Sequence, residues 1–527
     1  MLFREIFRIL GVFFLFFSSA FLIPLAVGIY YESAVMDFLI SLVTCLLFGL
    51  GLFSLGSKST GNFYRREGIA SVVFIWFLVP AISAIPFITS GTLTNPLQAY
   101  FEMVSGFTTT GATVLQAKKF DNAGIEIPIE KEIQGVLTTF YKFYGTVGPI
   151  KDPLTGVVKE GIEAVSSPLL FWRSFTHWLG GGGIIVLFVA VLPALGMGGK
   201  VLYQSEVSTQ TQEATMPRIK ETALQLWKIY LVLTALQIII LMISNEKLPF
   251  FEAVVITFST LSTGGFSTQN ASIAGYNNSA TEWVVILFMI LGGVNFSLYY
   301  FIFRGKFYRI FQPEFIWYLT ILFIFSSLVI YSLMVKGTFE GLNTVRQGIF
   351  QLVSAQTSTG FFTTNFDVWP YTTQVLLVIV MFLGGMSGST AGGIKIIRHI
   401  ILFRSAQYRV ESLFRPEQVR MFKVGKREVD PKSTLTVLSF FLIVIALSTI
   451  GALLYIMDGI DLETSFGLTT CMINNTGMGF RMAGPEGSCA FLSNFSLALS
   501  SFLMLLGRLE FFAVLAVLVP AFWRQDS

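Results

Sequence analysis

Four short, oxygen-rich segments carry the chemistry that can be read from this sequence. They are Thr108-Thr109-Thr110-Gly111-Ala112-Thr113, Leu261-Ser262-Thr263-Gly264-Gly265-Phe266, Thr357-Ser358-Thr359-Gly360-Phe361-Phe362 and Asn474-Asn475-Thr476-Gly477-Met478-Gly479. Each follows a partly apolar stretch, roughly 95–107, 249–261, 343–357 and 461–474, too short to cross a bilayer. A Thr-Gly step alone says little, since Thr60-Gly61 and Thr155-Gly156 lie in loops with no such stretch before them. Backbone carbonyls in an extended loop can replace the water that a potassium-sized cation gives up, and hydroxyls add further oxygens. Glycine accepts the unusual dihedrals this needs. Short helices ending at the loops turn their partially negative C-terminal ends toward the ion. The candidate ligating positions are Thr109, Thr110, Gly111, Ser262, Thr263, Gly264, Ser358, Thr359, Gly360, Asn475, Thr476 and Gly477. The plainer alternative is that four small-residue loops merely let re-entrant segments turn.

The elements that must position these loops are membrane spans. Of 527 residues, 54% are hydrophobic and only 13% charged, with a mean hydropathy of +0.70, so the excess apolar surface faces lipid. The 54 phenylalanines suit a bilayer. Apolar runs at roughly 11–31, 34–56, 68–90, 170–193, 223–244, 281–303, 314–335, 371–401, 433–457 and 491–520 predict ten helical spans. The last eight fall into four pairs, each enclosing one short stretch and its loop. A unit recurring four times predicts one pore built by a single chain. Cys45, Cys471 and Cys489 are too scattered for a disulfide framework, and His177 and His399 leave little room for a metal cluster. No nucleophile, metal site or acid–base pair marks an enzyme.

With the N-terminus in the cytosol, the inner segments carry an excess of Lys and Arg and the outer ones an excess of acids. An acidic outer face raises local cation concentration. Glu102, Glu252 and Asp461 are expected near that outer mouth. The inner segment 402–432 carries Arg404, Arg409, Arg415, Arg420, Lys423, Lys426, Arg427 and Lys432. It reads either as lipid-headgroup contact or as a dock for a cytosolic protein. A polar insert at 117–169 is expected outside, as a cap over the entrance or a harmless excursion.

Two features interrupt the spans. Gly384-Gly385-Met386-Ser387-Gly388-Ser389-Thr390-Ala391-Gly392-Gly393-Ile394-Lys395 cannot hold a regular helix and should face a cavity, unless the glycines serve close helix packing. Arg508 lies at mid-depth in the last span, where a charge is costly. A fixed cation on the axis would repel potassium. Its pairing with Glu510 is disfavoured, because a two-residue spacing points the side chains to different helix faces.

The arrangement resembles the Trk/Ktr/HKT superfamily of cation transporters, and within it the bacterial TrkH/TrkG branch, over nearly the whole chain. Trp178-Leu179-Gly180-Gly181-Gly182-Gly183, Leu195-Gly196-Met197-Gly198, Pro217-Arg218 and Phe522-Trp523-Arg524 also look TrkH-like. The resemblance implies an all-α polytopic fold of four tandem M1–pore helix–M2 repeats with pseudo-fourfold symmetry, plus two extra N-terminal helices. The units would be 1–56, 57–193, 194–303, 304–401 and 402–527. The family's filter glycines would correspond to Gly111, Gly264, Gly360 and Gly477. In plant relatives a serine at the first position goes with sodium transport, so Gly111 implies a preference for potassium. The glycine-rich loop would act as a gate under the filter, through Gly385, Gly388, Ser389, Gly392, Gly393 and Lys395, with Arg508 projecting beneath. The resemblance further implies a homodimer in the bacterial inner membrane with both termini cytosolic. A ring of nucleotide-binding RCK subunits, called TrkA in this branch, would be the partner. No cofactor other than the transported ion is implied, and no nucleic acid. The chain itself carries no phosphate-binding motif. An alternating-access symporter coupled to protons or sodium is the alternative.

Overall fold

The structure, a computed structural model, describes residues 3–57, 65–133, 138–151, 156–183, 216–415, 423–424, 427–428 and 431–524. Near the N-terminus, Phe3–Phe17 passes through one tight turn into Leu22–Tyr30, and Val35–Leu55 returns beside it. The first span thus starts at Phe3, not at residue 11. A Cβ at Gly49 would sit 2.9 Å from the Leu15 amide, and one at Gly11 would run into the Phe53 backbone. Small residues allow this approach where lipid removes the hydrophobic drive between helices. Phe13, Phe14, Phe17 and Phe21 are buried, and Phe21 lies 4.8 Å from the Trp172 ring. Part of the phenylalanine content therefore fills the bundle interior rather than facing lipid.

Four units follow, each a long helix, a short helix, a loop and a returning helix. The long helices are Arg65–Ser83 with Ile85–Thr89, Met216–Ser244, Pro313–Lys336 and Pro431–Met457. The short ones are Pro96–Phe107, Phe250–Leu261, Gly341–Gln356 and Leu462–Asn474. At about 1.5 Å per residue, none of these spans a core of about 30 Å.

The returning helices depart most from the sequence reading. Only the third was expected to break, and it does, into Tyr371–Leu383 and Ile396–Ser412. The second bends by 97° between Ser279–Gly292 and Phe296–Ile302, and the fourth by 119° between Asn494–Arg508 and Phe512–Leu518. The first is described from Ser167 to Gly181, ahead of residues 184–215, so the run at 195–198 lies outside the described residues. Six described helices are long and apolar enough to cross a membrane, or eight if each bent pair is one span.

The insert forms three small hairpins, of which Ile129–Ile133 with Thr139–Phe143 is the longest. This hairpin docks on the fourth unit. Tyr141 Oη donates to Asp461 Oδ1 at 2.5 Å and accepts from the Asp461 amide at 2.9 Å. Lys131 donates to the Glu486 carbonyl at 3.1 Å, and Tyr141 packs edge-on against Phe491. The insert is therefore anchored to the fourth unit rather than a free excursion.

Candidate cation site

The first and fourth short helices are started by a side-chain cap. Asn95 accepts the Leu97 amide at 2.9 Å ahead of Pro96, and Asp461 accepts the Thr464 amide at 2.9 Å. Each of the four ends at a loop with one conformation. Thr109, Thr263, Ser358 and Asn475 take a left-handed backbone (φ 54°, 54°, 55° and 52°), and two residues later Gly111, Gly265, Gly360 and Gly477 take positive φ again (86°, 85°, 83° and 64°).

The four loops meet in a closed cycle. A Cβ added to Gly111 would collide with the Gly264 carbonyl oxygen, and one on Gly265 with that of Thr359. One on Gly360 would hit Thr476, and one on Gly477 would hit Thr110. Each loop thus packs its glycine against the next loop's carbonyl, and the fourth returns to the first. Loops more than 350 residues apart in the chain (Gly477 and Thr110) are direct neighbours.

This geometry corrects the register in the second unit. The glycine equivalent to Gly111, Gly360 and Gly477 is Gly265. Gly264 stands where the other loops carry Thr110, Thr359 and Thr476. The reason is steric: a Cβ at Gly264 would enter the imidazole of His177, a ring fully buried and hydrogen-bonded through Nδ1 to the Gly106 carbonyl at 2.6 Å.

Several loop hydroxyls brace the walls. Thr108 and Thr110 are paired at 2.8 Å, as are Thr357 and Thr359, and Ser262 donates to the Phe258 carbonyl at 2.6 Å. Asn475 donates to Thr110 Oγ1 at 3.0 Å and to the Met504 carbonyl at 2.9 Å.

The glycine-rich loop 384–395 sits against the C-terminal ends of the same helices. Thr390 Oγ1 donates to the Leu261 carbonyl at 2.9 Å, the Gly393 amide to Asn474 O at 2.9 Å, and the Gly392 amide to Ser358 Oγ at 2.5 Å. Carbonyls at helix C-termini lack intrahelical partners, and the loop supplies them. Its other side is stitched to the bend of the second unit, through Met386 N to Gly293 O (3.0 Å) and Phe296 N to Gly388 O (3.1 Å). Gly384, Gly388 and Gly393 have positive φ. Ser389 donates to the Met386 carbonyl at 2.6 Å, and the Gly385 carbonyl accepts the Ile396 amide at 3.1 Å. Lys395 donates to the Ala391 carbonyl, and the buried Glu314 accepts the Ser387 amide at 2.7 Å.

Arg508 completes the contact with the first loop. It donates to Thr109 Oγ1 and the Thr390 carbonyl, both at 3.2 Å, and to the Gly180 carbonyl at 2.7 Å. Glu510 pairs instead with Arg398. The bend at Leu509–Phe511, with positive φ at Glu510 and Phe511, places Arg508 there.

One acid is not where the sequence suggested. Glu102 is wholly buried and ion-paired with Arg173 at 2.8 Å, so it is no outer-mouth attractor. Glu252 accepts from Thr268 and from Tyr276 (2.6 Å), which holds the outgoing strand. Arg173 escaped the sequence reading because a lone arginine near the start of a span resembles an interfacial anchor. The bends in the second and fourth units also escaped it, although Gly292-Gly293 followed by Asn295 is a legible stop and cap, with Asn295 accepting the Ser297 amide at 2.8 Å.

One carboxylate outside the spanning helices has a raised pKa. Asp367, between the third and fourth loops, accepts the Arg481 amide at 2.9 Å. Burial raises its carboxyl to about 6, against the opposing pull of Arg481. Its neutral form is therefore favoured on folding. The stability this contributes is present below pH about 4 and is lost as pH rises through about 6. Asp367→Asn should consequently melt progressively higher than the parent as pH goes from 5 to 7.5. A melting difference that stays flat over that range would contradict the assignment.

Fold and site together define a multi-pass helical membrane transporter whose four re-entrant loops close on one centre. The chain belongs to the TrkH family, described as cation transport protein, which matches residues 154–524. It is a family of transporters, not of enzymes. The chain is 31% identical over 541 residues to the Trk system potassium uptake protein TrkH of Salmonella typhimurium, covering 99% of this chain and 100% of that protein. It is 30% identical over 514 residues to the Trk system potassium uptake protein TrkG of Escherichia coli K12, covering 97% and 96%. The crystal structure of the potassium transporter TrkH from Vibrio parahaemolyticus superposes with a TM-score of 0.81 at 29% identity, covering 99% of this chain and all of that one.

Proposed function

We propose that this chain takes up potassium through a single pore, with the backbone carbonyls around Thr110, Gly264, Thr359 and Thr476 replacing the ion's water. The observation that carries the reading is the closed cycle of glycine-to-carbonyl approaches. Four carbonyls held close to one another lower the cost of dehydrating a cation between them. Potassium is the cargo and no resident cofactor is involved. The filter positions are those read from the sequence, with Gly265 joining Gly264 in the second loop.

Loop 384–395 and Arg508 form the gate. The loop lies across the inner ends of the second, third and fourth units, and Arg508 covers the first. It continues directly into Ile396–Ser412, whose Arg404 and Arg409 are exposed. A protein bound to that helix would pull on the loop. The partner is a nucleotide-binding TrkA-type ring, and the assembly is a homodimer in the inner membrane with cytosolic termini. Of the basic residues assigned to docking, Arg415 is exposed, Arg420 and Lys426 lie outside the described residues, and Lys423 and Arg427 are described in backbone only. Neutralising Arg415, Arg420, Lys423 and Arg427 together should cut co-purification of the partner at least severalfold. Undiminished assembly would refute the docking assignment.

The functional test is flux in proteoliposomes with potassium, rubidium and sodium. Potassium and rubidium should pass and sodium should lag. Equal passage of all three, or flux that strictly requires a proton or sodium gradient, would overturn the pore reading.

A further inference from the structure

Arg173 and Glu102 lie behind the ring rather than in it, and they join two units. Glu102 stands nine residues before Gly111; the matching residues before Gly265, Gly360 and Gly477 are Ile256, Gln351 and Leu468. Glu102 accepts the amide of Val114, three residues past its glycine, at 2.9 Å. Gln351 accepts the amide of Thr363, three past Gly360, at 3.1 Å. A neutral amide therefore suffices to hold an outgoing strand. The charge at Glu102 needs another reason, and Arg173 is that reason.

Arg173 is 1% exposed, and all three of its guanidinium nitrogens donate. Its Nε donates to Glu102 Oε1 at 2.8 Å and Nη2 to Thr113 Oγ1 at 3.3 Å, both in the first unit. Its Nη1 donates to the Ser267 carbonyl at 3.2 Å, and its guanidinium lies 4.0 Å over the Phe266 ring, both in the second unit. His177, one helical turn on, stacks on the other partner of that tie, with its ring centroid 4.1 Å from Phe266. The same junction on the pore side is the approach of Gly111 to the Gly264 carbonyl. A planar, always-charged fork fixes such a spacing where a flexible ammonium would not.

We propose that the buried Glu102–Arg173 pair is a positioning device that sets the spacing between the first and second loops and thereby the ring's discrimination of potassium from sodium. It rests on the functional reading above. Loosening this junction lets the carbonyls follow a smaller ion, so the parent's preference falls.

The test uses the full chain in proteoliposomes, reading rubidium uptake and its inhibition by potassium and by sodium. The double variant Glu102→Gln/Arg173→Gln keeps an acceptor for the Val114 amide and leaves no buried charge unpaired. Its ratio of sodium to potassium inhibition constants should fall about tenfold, with maximal uptake changed less than threefold. A purely structural pair would lower maximal uptake or yield and leave the ratio unmoved. Arg173→Lys keeps the charge balance and serves where the double variant does not fold, with a fall in the same direction. A ratio within twofold of the parent in the folded variant overturns the inference. A parent that shows no potassium preference would instead sink the functional reading, and this inference with it.

Discussion

Gly265→Ala should abolish potassium uptake, with a loss of at least about 100-fold in rate. Position 265 has a φ of 85°, which L side chains rarely adopt, and holding one there costs roughly 1–3 kcal/mol. The added methyl would also overlap the Thr359 carbonyl oxygen, so one of the two backbones must move. Either movement displaces an oxygen proposed to meet the ion. Ion coordination falls steeply with distance, and hydroxyl pairs within the first and third loops resist relaxation. Gly91→Ala is the matched control. Gly91 also has positive φ, at 72°, but a Cβ there meets nothing within 4 Å. It should cost some stability and leave transport intact. Uptake surviving in Gly265→Ala, or lost equally in Gly91→Ala, would refute the ring as the site of conduction.

The second large effect is in the opposite direction. Arg508→Ala should raise basal flux in liposomes without any partner present. Two consequences add. The first is electrostatic: a unit charge at about 5 Å from a passing cation, at an effective dielectric of 20, opposes it by roughly 3 kcal/mol, about 100-fold in rate. The second is mechanical. Arg508 bonds the Thr390 carbonyl, Thr109 and Gly180, so its loss frees the glycine-rich loop from the first unit. Arg508→Lys separates the two: it retains the charge and loses the fork, so flux should rise only modestly. Removing part of 386–393 should mimic the alanine variant, because the loop's ties to Leu261, Ser358 and Asn474 go with it. Parent-level flux in both the alanine and the deletion variants would count against the gate.

Most of the architecture was legible because lipid leaves few solutions. The short helices end within a residue or so of the stretches read from hydropathy, at Phe107, Leu261, Gln356 and Asn474. A segment too short to cross that must still satisfy its backbone has to be a re-entrant helix. The broken third returning helix was equally plain, because glycine at 384, 385, 388, 392 and 393 leaves no helical alternative. The matching bends in the second and fourth units were missed, although Gly292-Gly293 and Asn295 mark the first of them. There the interruption needs only Gly293–Asn295 or Leu509–Phe511, and flanking apolar residues mask it in any window average.

What the sequence determined alone was the set of parts: membrane helices, four oxygen-rich turns, one glycine-rich break and one arginine at depth. These depend on composition over a handful of neighbouring residues, which the bilayer constrains directly. Tertiary structure decided everything that depends on which parts touch. It put Gly265 rather than Gly264 in register with the other ring glycines, because the ring of His177, from another unit, occupies the space of a Cβ. It turned Glu102 from an apparent surface acid into half of a buried pair, because Arg173 reaches it from 71 residues away. Spacing along a chain fixes which face a side chain shares within one helix; across helices, only packing chooses its partner.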